Sequence, residues 1–136
     1  MAKIPHTKRL RVALVDDNDP FRTALRHLLE LRGYNVSDFN SVPSFLEAGA
    51  LKTTDCLILD VAMPDIDGFA LKECIQQTNY QIPVIFCTGA ELDEKTKSAL
   101  SADGTVVMQK PVQAEALIAA IESIRSGNLR TQSKSS

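Results

Sequence analysis

The sequence predicts an α/β fold, a five-stranded parallel sheet with helices on both faces. Three observations carry this reading. Short apolar runs rich in β-branched residues recur along the 136 residues, each too short to be a helix. Segments with apolar residues at helical spacing lie between them. The connections are short, so strands and helices alternate as βαβ units, and right-handed crossovers leave few topologies.

The first strand lies in "LRVALVDDNDP", where Val12 to Val15 form an apolar run. Asp19 then suits an N-cap and Pro20 a first helical position. Phe21, Ala24, Leu25, Leu28 and Leu29 fall on one helical face, and Gly33 marks the stop. "YNVSDFN" is a weak second strand and "VPSFLEAGALK" a short second helix. "DCLILD" is a third strand, apolar on both faces as in the middle of a parallel sheet. "FALKECIQQT" spaces Leu71, Cys74 and Ile75 as a third helix. "IPVIFCTG" is a fourth strand, with Pro83 confined to its start. "ELDEKTKSALSAD" reads as a fourth helix with little to bury beyond Leu92, Ala99 and Leu100. "GTVVMQKP" is a fifth strand, and "QAEALIAAIESIRS" a fifth helix with Leu117, Ile121 and Ile124 on one side. The closing "GNLRTQSKSS" is polar and expected to be disordered.

Bulk properties narrow the function. The hydrophobic and charged fractions, 44% and 24%, are ordinary for a globular domain. A formal charge of −2 offers no footprint for nucleic acid, so no direct nucleic-acid binding by this domain is expected. No apolar run approaches the roughly 18 residues of a membrane span, and the first residues lack the apolar core of a signal peptide. Cys56, Cys74 and Cys87 show no CxxC spacing and sit in apolar segments, as buried thiols in a reducing cytoplasm would.

In open α/β sheets ligands bind at the carboxyl ends of the strands. Here the first strand ends in Asp16 and Asp17, the third in Asp60, the fourth in Thr88 and the fifth in Lys110 followed by Pro111. Singly, each is explained by capping, a turn hydroxyl or a solvated charge. Jointly they are a chemical kit. Crowded carboxylates call for a hard divalent cation, and Mg²⁺ prefers such oxygens and is often completed by phosphate. A carboxylate can attack phosphorus to give an aspartyl phosphate, while a metal, an ammonium and a hydroxyl neutralise the phosphoryl oxygens.

In order and spacing, "VALVDDND", "LILDVAMPDIDGF", "PVIFCTG" and "VVMQKP" resemble the receiver domain of two-component response regulators. The resemblance covers residues 9–125, leaving 1–8 as an N-terminal extension and 126–136 as a polar tail or the start of a linker. It implies a flavodoxin-like (βα)5 fold with strand order 2-1-3-4-5. It also implies that Asp60 accepts phosphate and that Asp16, Asp17, Asp60 and the backbone carbonyl of Ala62 hold Mg²⁺, Asp17 directly and Asp16 through water. Thr88 and Lys110 would bind the phosphoryl group, with the Lys110–Pro111 bond cis. The implied partner is a sensor histidine kinase or phosphotransfer protein, with no membrane involved. The tail is either the end of a single-domain regulator or the start of a linker to a C-terminal DNA-binding effector domain outside this chain. The domain would be a monomer or a phosphorylation-dependent dimer in the cytoplasm, a signalling domain catalysing only its own phosphorylation and slow dephosphorylation.

The chain departs from the family at Val107, where an aromatic switch residue is common, and at Gly89, where alanine is common. Ala62 and Ala90 take the positions that tune phosphate loss. A haloacid-dehalogenase-like Mg²⁺-dependent phosphatase is a rival reading, with Asp17 and Asp19 as a DxD pair. A degenerate receiver acting as a scaffold is another. A dinucleotide site is excluded because no GxGxxG follows a strand.

Overall fold

A computed structural model describes residues 9–60, 82–89, 94, 98 and 105–125. The strands are β1 (Arg11–Val15), β2 (Asn35–Phe39), β3 (Cys56–Asp60), β4 (Val84–Thr88) and β5 (Val106–Gln109). The helices are α1 (Asp19–Leu31), α2 (Val42–Glu47) and α3 (Ala114–Arg125). The expected helix with Leu71, Cys74 and Ile75 lies outside the described residues. So does most of "ELDEKTKSALSAD", of which Glu94 and Ser98 are described and helical.

All strand pairs are parallel and the order is β2-β1-β3-β4-β5, as expected. Every residue of β3 and β4 is buried, which is why those runs read as continuously apolar. The edge strand β2 buries Val36 but exposes Asn35 and Ser37, so its sequence signal is weak.

Strand side chains alternate between faces, and this sorts the core into two layers. Val12, Leu14, Cys56, Ile58, Ile85 and Cys87 pack with Leu25 and Leu29 of α1 and with Leu117, Ile121 and Ile124 of α3. Ala13, Val15, Leu57, Leu59, Val84 and Phe86 pack with Val42 and Phe45 of α2. Truncating a fully buried residue such as Leu29 or Leu117 to alanine costs about 2–5 kcal/mol. The sheet beneath the strand ends is therefore a firm base.

Three local details differ from expectation. The N-cap of α1 is Asn18 rather than Asp19, and its side chain accepts the Phe21 N–H at 2.9 Å. Pro20 has no N–H to offer, so the cap reaches to the third helical residue. Asp19 instead places its charge in the first helical turn, favourably beside the positive end of the helix. Ala24, expected on the apolar face, is exposed. The second helix is two pieces: α2 ends at Glu47, and Gly49, at φ 68°, turns the chain into a short 3₁₀ turn, Ala50–Thr53. Gly33, at φ 96°, does stop α1 as expected.

Candidate functional site

The alternation that builds the core continues past the strand ends and selects the site. Val12 and Leu14 are followed on their face by Asp16, Cys56 and Ile58 by Asp60, and Val106 and Met108 by Lys110. All three polar side chains thus emerge on the face that α1 and α3 cover. Thr88 follows Val84 and Phe86 and so belongs to the opposite face.

The side chains then meet. Lys110 Nζ lies 2.9 Å from Asp16 Oδ2 and 3.3 Å from Asp60 Oδ2. Oxygens of Asp16, Asp17 and Asp60 lie within 4.8 Å of one another. Asp16 and Asp60 are 1% and 6% exposed, whereas Asp17 is open to solvent. Asp16 Oδ1 also accepts the Asn18 N–H at 2.8 Å, which holds the carboxylate at the turn into α1. Thr88 is 1% exposed at the end of β4, and its carbonyl accepts the Lys110 N–H at 2.8 Å. The Lys110–Pro111 bond is cis. Ala62 lies outside the described residues.

Taken singly, Lys110 reads in the sequence as a solvated charge at a strand end. Instead its side chain is only 17% exposed and bridges two buried carboxylates. Burial lowers its pKa, but the hydrogen bond to Asp16 and the charges of Asp60 and Asp16 outweigh this, and the net shift is upward. The ammonium is thereby fixed as a cation. Cys87 pairs in register with Asp60, and its thiol is pushed up to about 12, chiefly by burial, so it does not compete as a nucleophile. Cys56 is likewise raised to about 12 by burial.

Three carboxylates of which two are buried, set against one bridging lysine, suit a small hard cation with oxygen ligands. The donor set fits Mg²⁺, with Asp17 on the open side.

Sequence reasoning missed two neighbours. Arg22 donates from Nη1 to the Asp16 carbonyl at 2.7 Å, and pairs with Asp19 at 2.7 Å and Asp38 at 2.9 Å. It clamps the backbone that carries the acidic pair. The Phe21 ring lies under Lys110, with Nζ 4.1 Å from its centroid. Phe21 passed as a core residue because it fits the apolar stripe of α1. The available signal was its place in the first turn of that helix, directly after the acidic pair. Asp19 pairs with Arg22 from a side chain that is 75% exposed, so the DxD pairing with Asp17 has no support in the geometry.

Comparison with known proteins matches residues 12–122 to the family described as the response regulator receiver domain. The response regulator MprA of Mycobacterium leprae is 30% identical over 115 residues, 85% of this chain and 50% of that protein. The transcriptional regulatory protein FixJ of Azorhizobium caulinodans is 32% identical over 112 residues, 82% of this chain and 53% of that protein. The chain thus spans about half the length of these curated relatives. The solved structure of the chemotaxis protein CheY4 of Vibrio cholerae superposes with a TM-score of 0.73 at 28% identity, covering 86% of this chain and 99% of that one.

Proposed function

The chain belongs to the response regulator receiver domain family of two-component systems, and from that premise we propose that Asp60 is its phosphoacceptor. The observation that carries this is the buried Asp60 carboxylate, bridged by Lys110 and within 4.8 Å of both acidic neighbours. A sensor histidine kinase or phosphotransfer protein presents a phosphohistidine. An Asp60 oxygen attacks phosphorus, the P–N bond breaks, and the electron pair stays with the departing imidazole, which takes a proton.

Asp16, Asp17 and Asp60, with the carbonyl of Ala62, would hold a Mg²⁺ ion. Bound there, the ion supplies positive charge against the crowded oxygens. The chain's own groups do the rest. The sheet holds Asp60 still, and Lys110 neutralises a phosphoryl oxygen. The Thr88 hydroxyl, which starts on the opposite face, moves towards the phosphoryl group on activation and donates to another oxygen. In this sense the domain catalyses its own modification, and slowly its reversal, while its task is signalling. Roughly two negative charges then stand where one stood, and Lys110 and Thr88 reorganise around them. Residues 9–125 form the receiver, 1–8 an extension, and 126–136 a tail or the start of a linker to an effector. No helix among the described residues is long and apolar enough to cross a membrane, and a cytoplasmic site suits a kinase-fed switch.

Acetyl phosphate with Mg²⁺ tests the assignment. Intact-mass measurement should show one added phosphate on the parent protein and none on Asp60→Asn. Equal labelling of the variant would rule Asp60 out.

A further inference from the structure

We infer that Phe21 is a positioning residue for Lys110, its ring fixing where the ammonium stands beside the acceptor carboxylate. This inference rests on the reading of Asp60 as phosphoacceptor. Among the described residues the ammonium has three neighbours of two kinds. Asp16 at 2.9 Å and Asp60 at 3.3 Å attract it by charge, and the Phe21 ring, 4.1 Å away at its centroid, attracts it through the ring's negative face.

The kinds matter because the carboxylates are themselves reactants or ligands. When Asp60 becomes an acyl phosphate or Asp16 turns towards a cation, their pull on Lys110 changes. The ring's pull does not, because a phenyl group carries no net charge and coordinates no cation. Of these three, Phe21 is thus the neighbour whose hold on Lys110 is the same before and after the reaction.

Its location makes this robust. Phe21 is the third residue of α1, and its own N–H is tied to the Asn18 cap at 2.9 Å. The ring packs against the layer of Leu25, Leu29 and Cys87, so it is a fixed platform. The adjacent Arg22 is held by the Asp16 carbonyl, Asp19 and Asp38. One helical turn therefore carries both a clamp for the backbone of the acidic pair and a seat for the lysine. A lysine side chain free to rotate loses considerable rotamer entropy when it is localised. A seat that prepays part of that loss leaves the ammonium aimed where negative charge gathers as the phosphoryl group transfers.

The test compares the parent with Phe21→Leu, which keeps an apolar packing group without a ring, and Phe21→Tyr, which keeps the ring face. Two quantities are read: the rate of phosphate uptake from acetyl phosphate with Mg²⁺, and the proton shifts of the Lys110 side-chain methylenes without phosphate. In the parent and in Phe21→Tyr the methylenes should be displaced by the ring current. In Phe21→Leu the displacement should vanish and uptake should slow roughly two- to fivefold, the range expected for a partly exposed cation–π contact. Phe21→Tyr should recover most of the rate. If Phe21→Leu melts lower than the parent, Phe21→Met, of similar volume, takes its place. Uptake by the ring-less variant at the parent rate would overturn the inference, as would methylenes without a ring shift in the parent. A parent protein that takes up no phosphate would overturn the phosphoacceptor reading, and the shifts would still decide where the ring stands.

Discussion

Asp60→Asn should stabilise the metal-free protein. At an effective dielectric constant of about 20, Asp16 and Asp60, with oxygens no more than 4.8 Å apart, repel by at least about 3.5 kcal/mol. Asp17 is exposed and better screened, and adds about half as much. Against this, Lys110 at 3.3 Å attracts Asp60 by about 5 kcal/mol. Among these charges of the described residues the two sides nearly cancel, so hydration decides. A carboxylate left 6% exposed forfeits several kcal/mol of hydration, and a carboxamide of the same shape forfeits about 2. Allowing for a weaker hydrogen bond from Lys110 to the amide oxygen, the variant should gain about 2 kcal/mol. For a domain of this size that is a rise of roughly 6–10 °C in melting temperature.

Calorimetry in chelator-treated buffer measures it, and a second series in millimolar Mg²⁺ should raise the parent more than the variant and so narrow the gap. A variant that melts at or below the parent without metal would refute the reasoning, because Asp60 would then be better compensated than these distances allow. Asp16→Asn should gain less. Asp16 accepts from both Asn18 N–H and Lys110, at 2.8 and 2.9 Å, and a single amide oxygen replaces two charged acceptors poorly.

Other expectations follow from the same geometry. Lys110→Met should lower stability by about 2 kcal/mol at neutral pH, a partner-removal cost discounted for partial exposure. Because the pKa of Lys110 is raised on folding, its contribution should be full below about pH 10.5 and decline only above that, as pH climbs through the folded value. Melting curves of the two proteins from pH 7 to 11 check this, and a gap that closes well below pH 10 would contradict it. Arg22→Ala should cost about 2 kcal/mol in urea denaturation, with Arg22→Lys recovering only part, since one ammonium cannot serve Asp16, Asp19 and Asp38 together. Phosphorylation should alter hydrogen exchange at residues 89–94 and leave Val106 to Met108 nearly unchanged. Val107 is half-buried against the α2 layer, with no ring to swing and a stiff side-chain torsion. Strong new protection confined to Val106–Met108 would defeat that route.

The strands, the layer order and the polar strand ends were legible because each leaves a one-dimensional trace. An apolar run that stops abruptly at Asp60 or Lys110 is visible in the sequence, and alternation then places the residue on a face. What could not be read depends on competition between equivalent groups or on docking. Asn18 and Asp19 are equally good caps by residue type, and Pro20 is tolerated in the first turn with either, so the sequence does not choose between them. Gly49 breaks a helix that "VPSFLEAGALK" could otherwise have continued. The burial of Lys110 and the second role of Phe21 arise from how the first turn of α1 sits over the strand ends. An apolar stripe shows only that Phe21 faces inward, not which of its neighbours is charged.

One further feature of the site follows from strand order. Asp16 and Asp60 end adjacent strands, but Lys110 follows β5, two strands from β3 with β4 between. Neighbouring strands lie about 4.8 Å apart, so the lysine must cross β4 to reach Asp60. It can do so because β4 is low there. On the face in question Cys87 is followed by Gly89, and a Cβ on Gly89 would stand 3.7 Å from Lys110 Cδ. That is ordinary van der Waals contact, so alanine would be accepted, while a longer side chain would start to fill the lysine's path. The flexible four-carbon stem of lysine suits the crossing, whereas a planar guanidinium would arrive with several donors needing partners among buried carboxylates already bonded elsewhere. Cys87 and Gly89 where β4 ends, the reach of Lys110 and the ring of Phe21 at its far end are thus one arrangement, which carries a positive charge from the edge of the sheet to its acidic centre.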